Sequence, residues 1–185
     1  MNQGTVFLVV VAMAFVALGI TAWIVVHKIR TNRLRGRFGP EYERTVAELG
    51  NRGKAEDELE ARRKRVEKLT LRPLSPEEQE RFGSQWAAAQ ARFVDDPKGA
   101  VADANRLVKD VMLARGYPMA DFEQRAADIS VDHPGVVSSY RSAREIASRS
   151  ETGKASTEDL RKAVLCYRAL FEELLEAPQL VGVAR

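Results

Sequence analysis

An uninterrupted apolar run at residues 6–26, VFLVVVAMAFVALGITAWIVV, constrains this chain more than any other feature. Residues 1–26 contain no Asp, Glu, Lys or Arg. As a helix, a run of this length rises about 30 Å, which matches the hydrocarbon core of a bilayer. A backbone in lipid must satisfy its own hydrogen bonds, so we expect residues 6–26 to form a transmembrane helix and residues 1–5 a short extracytoplasmic N-terminus.

A cleaved signal peptide is the alternative to a permanent anchor. No basic residue precedes the apolar run, and the run is longer than the usual hydrophobic region of a signal peptide. The bulky stretch TAWIVVHK offers no small-x-small cleavage site. These features favour an uncleaved, single-pass signal anchor.

The charges that follow the run predict its direction. Residues 27–40 form a basic juxtamembrane segment without an acidic residue, and its cations are Lys28, Arg30, Arg33, Arg35 and Arg37. By the positive-inside rule this flank stays in the cytoplasm. We therefore predict a plasma-membrane protein with its N-terminus outside and its C-terminal domain cytoplasmic. The five cations and Trp23 would lie at the membrane interface, where the cations either only fix the topology or also contact anionic lipid headgroups.

Composition excludes some classes of function. The net charge of +3 comes from the juxtamembrane segment, because without its five cations the 26 acidic residues outnumber the basic ones by two. A nucleic-acid-binding domain would spread a basic excess over a folded face, so we expect no nucleic-acid partner. Cys166 is the one cysteine, which excludes an intramolecular disulfide and a cysteine-cluster metal site. Its place on an apolar helix face predicts a buried structural thiol.

Residues 41–72 are rich in Glu, Arg, Lys, Ala and Leu, with sparse apolar positions and with glycines at 50 and 53. We interpret them as a charged, solvated spacer helix, broken near its middle. The basic run at residues 62–65 is offset by neighbouring glutamates, which is typical of a solvated helix face.

Residues 73–176 have the pattern of a helical bundle, followed by a tail at 177–185. Ser75-Pro76 and Asp96-Pro97 each place a capping side chain before a proline at the first helical position. Four amphipathic helices, opening near residues 76, 97, 134 and 156, should pack as a small antiparallel bundle. The predicted core consists of Phe82, Trp86, Phe93, Leu107, Val111, Tyr140, Ile146, Val164, Phe171 and Leu174.

One polar segment, residues 121–134, escapes this periodicity. We expect a short helix at residues 122–127, then an extended piece closed by His133-Pro134. Arg125 would bridge carboxylates such as Glu123 and Asp128. The segment is our candidate recognition surface, and its members are Phe122, Glu123, Arg125, Asp128, Asp132 and His133.

Catalytic signatures are missing from the sequence: there is no P-loop, G-x-G-x-x-G, H-E-x-x-H or G-x-S-x-G. We therefore favour a non-enzymatic protein without a cofactor. The competing hypothesis is an enzyme or metal-binding domain centred on His133, with Asp128, Asp132 and Glu123 nearby.

The strings RFGPEYERTV, ARFVDDPKGAV and DFEQRAADISVDHPGVVSSYR, with RRKRVEKLTLRPLSPEEQERF, resemble an uncharacterised family of single-pass, membrane-anchored helical proteins from actinobacteria. The resemblance covers most of the chain after the apolar run. It implies a bacterial plasma membrane and transfers no catalytic residue, because that family has no assigned reaction.

Three functions remain open at this point. The leading one is a membrane-tethered interaction or scaffold module that holds a protein partner at the cytoplasmic face. The second is the His133-centred enzyme or metal site. The third is an outward-facing envelope accessory protein, which requires the opposite topology. The sequence does not indicate an oligomeric state.

Overall fold

The computed structural model describes residues 3–176, with side-chain detail for residue 4 and from residue 11 onward. Within this range the chain forms eight helices and no strand, which confirms the predicted all-α class with one long apolar helix at the N-terminus. The helices are α1 (Gln3–Phe38), α2 (Pro40–Leu49), α3 (Arg52–Val66), α4 (Pro76–Arg92), α5 (Pro97–Ala114), α6 (Phe122–Asp132), α7 (Pro134–Glu151) and α8 (Thr157–Glu176). The predicted tail at 177–185 lies outside the described residues.

Helix α1 is continuous over 36 residues, a length of about 54 Å. Its part from Val11 to Phe38 is long and apolar enough to cross a membrane. Residues 12–29 are exposed, whereas Thr31, Leu34 and Phe38 are buried against the following helices. These three positions recur every three or four residues on one helix face. The basic juxtamembrane segment is therefore helical, and its inner face belongs to the folded domain.

The charged segment after α1 forms two helices. The break falls at Gly50, whose φ of 61° lies in the left-handed region that favours glycine at a helix C-terminus. The ion pairs Arg35–Glu43 and Arg30–Asp57 show that α2 runs back along α1 and that α3 then turns to follow it. The predicted interruption in this segment is thus present at the first of its two glycines.

The prediction that residues 41–72 are solvated is wrong for one face of α2 and one face of α3. Tyr42 and Leu59 are buried with Leu34, Phe38, Val66 and Val131 in a small core that lies apart from the bundle core. Glu41, Glu56 and Arg62 are buried as well. This core forms with few apolar side chains because polar groups of α1, α2 and α3 bind one another beside it. A charged composition does not reveal such buried polar contacts.

The bundle consists of α4–α8, with α8 packed between α5 and α7. The expected caps form: Ser75 and Glu78 make a capping box at α4, and Asp96 accepts from Gly99 N at α5. Trp86 stacks on Phe171 with ring centroids 4.5 Å apart. Every predicted core residue is buried except Phe93, which is half-buried.

The directions of the helices follow from their end contacts. Arg149 near the end of α7 pairs with Asp159 at the start of α8, so these two helices are antiparallel. Arg115, just beyond α5, donates to the Leu174 carbonyl near the end of α8, so α5 and α8 run parallel. The same end of the bundle carries the connection from α3 to α4, where Arg72 N donates to the Arg115 carbonyl.

Candidate functional site: the α6–α7 hairpin

Helices α6 and α7 form a hairpin with His133 as the single residue between them. Asp121 caps α6 by accepting from Gln124 N at 2.9 Å, and Pro134 opens α7. The extended piece expected before His133 is therefore wrong, because α6 continues to Asp132. Its buried positions, Ala126 to Val131, cover nearly the whole helix circumference, which conceals the amphipathic pattern that sequence reasoning relies on.

The hairpin lies between helices α1–α3 on one side and the other bundle helices on the other. Arg37 of α1 donates to Asp132 Oδ1 at 3.4 Å and to the Val131 carbonyl at 3.3 Å. Arg65 of α3 donates to Asp128 Oδ1 at 2.9 Å. Asp128 and Asp132 are one turn apart on α6, so two carboxylates hold α1 and α3 against the same helix face.

A second polar connection joins α2 to α7. The buried Glu41 carboxylate accepts from Arg62 Nη1 at 3.3 Å and from Arg141 Nη2 at 3.0 Å. Arg141 also pairs with Glu123. Burial raises the pKa of Glu41, and Arg44 and Arg62 oppose that rise. This network joins α2, α3, α6 and α7.

Arg125 does not bridge Glu123 and Asp128 as predicted. Its guanidinium donates to the Ala120 carbonyl and, through Nε, to the Tyr140 hydroxyl at 3.4 Å. The two carboxylates take partners from other helices, Arg141 and Arg65. Phe122 packs on Tyr140 with ring centroids 4.9 Å apart, so Arg125 and Phe122 fix the first turn of α6 against α7.

His133 is buried, and its Nδ1 lies 3.1 Å from Glu173 Oε1 on α8. Its side chain does not cap α7. Glu123 is at the opposite end of α6, so the four residues of the competing hypothesis do not converge. Among residues 3–176, no group of three His, Cys, Asp or Glu side chains could hold a metal ion.

The centre of this junction contains several buried polar groups. Burial raises the pKa of Asp132 although Arg37 opposes the rise, and burial also raises the pKa of Tyr117. Tyr117 Oη, Asp128 Oδ2 and His133 Nε2 are buried without a hydrogen-bond partner in the described part of the chain. The other atoms of Asp128 and His133 are bonded, Asp128 Oδ1 to Arg65 and His133 Nδ1 to Glu173, and these bonds join α6 to α3 and the hairpin to α8.

The predicted membrane-interface residues separate into two sets. Arg30, Arg35 and Arg37 each pair with a carboxylate of the domain, at Asp57, Glu43 and Asp132. Lys28 and Arg33 are exposed and form no ion pair within residues 3–176. Trp23 is exposed and stacks on His27 at 5.6 Å.

Sequence reasoning missed a cluster of hydrogen bonds around Glu56, one member of which, Thr31, lies between Lys28 and Arg33 on α1. The buried Glu56 accepts from the hydroxyls of Thr31 at 2.7 Å and Tyr42 at 2.9 Å and from Arg52 Nε at 3.2 Å. It joins α1, α2 and α3. The one available signal was Thr31, three and seven residues before Leu34 and Phe38 on the face of α1 that enters the domain.

Cys166 is half-buried against the bundle core, and burial raises the pKa of its thiol. The thiol is thus less buried than expected.

No family model, curated protein or solved structure matches this chain.

Proposed function

We propose that this protein is a membrane-tethered helical interaction or scaffold module at the cytoplasmic face of a bacterial plasma membrane. The observation that carries the proposal is the continuity of α1, whose exposed apolar part runs without a break into a face buried in the domain. A helix of this kind holds a domain at a fixed height and angle, whereas a flexible linker would not.

The direction of insertion is supported by charge. Five cations follow the apolar part of α1, and none precedes it. A reporter that works only in the cytoplasm, fused after Arg185, is expected to be active. Activity of an extracytoplasmic reporter at the same position would instead support the envelope accessory function.

The scaffold function is supported by the partners of the charged side chains in the α6–α7 hairpin. The charged residues of the α6–α7 hairpin mainly hold α1, α2 and α3 against the bundle, so they favour a rigid platform over a reaction centre. Affinity capture of the full chain from membranes should retain a protein that a chain ending after α1 does not. Equal recovery with both baits would contradict the proposal.

A further inference from the structure

A groove of about 430 Å³ opens between α2, α6 and α7. This volume lies in the range of small-ligand sites. Its charged side chains are Arg44, Arg141, Arg144 and Arg149 against Glu123 and Glu145, so the lining has two more cations than anions. Carboxylates outside the lining lie beside the same four arginines: Glu41, Glu48, Glu151 and Asp159. What a ligand can use is therefore set by how tightly each guanidinium is held by its carboxylate.

The inner two arginines are fixed and incompletely satisfied. Arg141 is held by Glu41 and Glu123, and Arg44 donates to Glu48 at 2.6 Å. Arg44 Nη1 lies 3.9 Å from Glu41 Oε2, beyond hydrogen-bonding distance, and both this atom and Arg141 Nε are buried without a hydrogen-bond acceptor in the described part of the chain. Buried N–H donors without an acceptor are costly, and an anion in the groove would supply one.

The outer two arginines have loose partners. Arg144 is 3.8 Å from Glu151, and Arg149 is 3.6 Å from Asp159, both beyond hydrogen-bonding distance. Arg144 also lies over the Phe122 ring, 6.0 Å from its centroid. Both guanidinium groups are partly exposed and can turn toward a ligand without breaking a hydrogen bond.

We propose that this groove binds a phosphate monoester group. A guanidinium can donate two parallel hydrogen bonds to a phosphate group, and Arg144 and Arg149 have no hydrogen-bonded carboxylate to release before they do so. Phe122 offers an apolar surface beside the charge. The group belongs either to a small soluble molecule or to a lipid headgroup, and neither source depends on the topology or the protein partner proposed above.

The test uses the full chain in nanodiscs of phosphatidylcholine, titrated with inorganic phosphate by calorimetry. The parent chain binds phosphate, and the double variant Arg144→Gln/Arg149→Gln binds at least about tenfold more weakly. The matched control is Arg161→Gln/Arg168→Gln on α8, whose arginines pair within their own helix and stay outside the groove. Phosphate affinity that is undetectable, or equal in the two double variants, overturns the proposal.

A second variant should bind phosphate more tightly than the parent chain, a result that misfolding cannot produce. Glu145 lines the groove, is exposed and has no ion pair among residues 3–176, so Glu145→Gln removes a repulsive charge and should tighten phosphate binding. Weaker binding by Glu145→Gln would count against the site.

The source of the phosphate is separated by a second set of nanodiscs that contain phosphatidic acid. If the headgroup fills the groove, the parent chain no longer takes up free phosphate in these discs. If the titration is unchanged, the site takes a soluble phosphate monoester. Both results support the site, whereas binding in neither kind of disc refutes it.

Discussion

Glu41 and Asp132 illustrate how single charges hold the helices around α1 in place. Each carboxylate is buried, and each has arginine partners on another helix. Burial raises both pKa values in spite of those arginines, so the charged forms are retained at a cost. Removing one partner of such a pair leaves the other buried and unpaired, which costs more than the pair itself contributes.

The raised pKa of Asp132 predicts an unusual pH dependence. Between the unfolded value of about 3.9 and the higher folded value, the folded state binds more protons, so this group's contribution to the free energy of unfolding falls as pH rises. Asp132→Asn should remove that slope in denaturant titrations from pH 4 to 7. The exposed Asp95→Asn is the control, and an unchanged profile for Asp132→Asn would contradict the assignment.

Gly116 should tolerate no side chain. Its φ is +95°, and a Cβ there would lie 2.6 Å from the Thr70 carbonyl oxygen. Gly153 also has a positive φ, of +70°, but has open space around it. Gly153→Ala should cost about 1 kcal/mol from backbone strain alone, and Gly116→Ala clearly more. Equal costs in chemical denaturation would show that the Thr70 contact is unimportant.

For single residues, the sequence predicted local roles such as helix capping better than it predicted ion-pair partners. Ser75 and Asp96 cap as expected, because capping needs neighbours only three residues away. Arg65 and Asp128 are 63 residues apart, and Arg37 and Asp132 are 95 apart. Such pairs follow from the packing of α6 against α1 and α3, which no local pattern reveals.

At the scale of elements, most helices were predictable and their packing was not. The bundle helices show clear apolar stripes, and proline marks where α4, α5 and α7 begin. Helix α3 lacks such a stripe, and its buried Glu56 and Arg62 are residues that usually mark a solvated face. Its role in a second core therefore appears only in three dimensions.

This second core changes which fragment should fold well. Residues 74–176 should be helical and soluble, but they leave Val131, Asp128 and Asp132 without their partners from α1 and α3. Residues 28–176 keep those partners, and we expect them to be more stable by several kcal/mol. Urea unfolding followed by circular dichroism compares the two fragments. Equal stability would mean that α1–α3 do not form part of the domain.

An aromatic pair, Trp86 and Phe171, joins helices α4 and α8 in the bundle core. Trp86 is buried against Phe171, so Trp86→Ala should cost about 3–5 kcal/mol in the 28–176 fragment. Trp86→Phe, which keeps a ring beside Phe171, should cost much less. A Trp86→Ala fragment as stable as its parent would contradict the bundle core.

At the scale of the whole molecule, α1 and the domain form a continuous unit. The apolar part of α1 leads directly into the turns that carry Thr31, Leu34 and Phe38. The Glu56 cluster joins this helix to α2 and α3, and the Arg37–Asp132 pair joins it to α6. The domain therefore has a defined position relative to any membrane that α1 crosses. That arrangement suits a platform that presents one face to a partner.

The central claim, a domain held on the cytoplasmic side by α1, is tested most directly by thiol labelling. Val94, between α4 and α5, is 85% exposed, so Val94→Cys in a Cys166→Ser background offers one accessible thiol. We expect a membrane-impermeant maleimide to leave this thiol unlabelled in intact spheroplasts and to label it fully after permeabilisation. Full labelling in the intact spheroplasts would contradict the account and place the domain outside the cell.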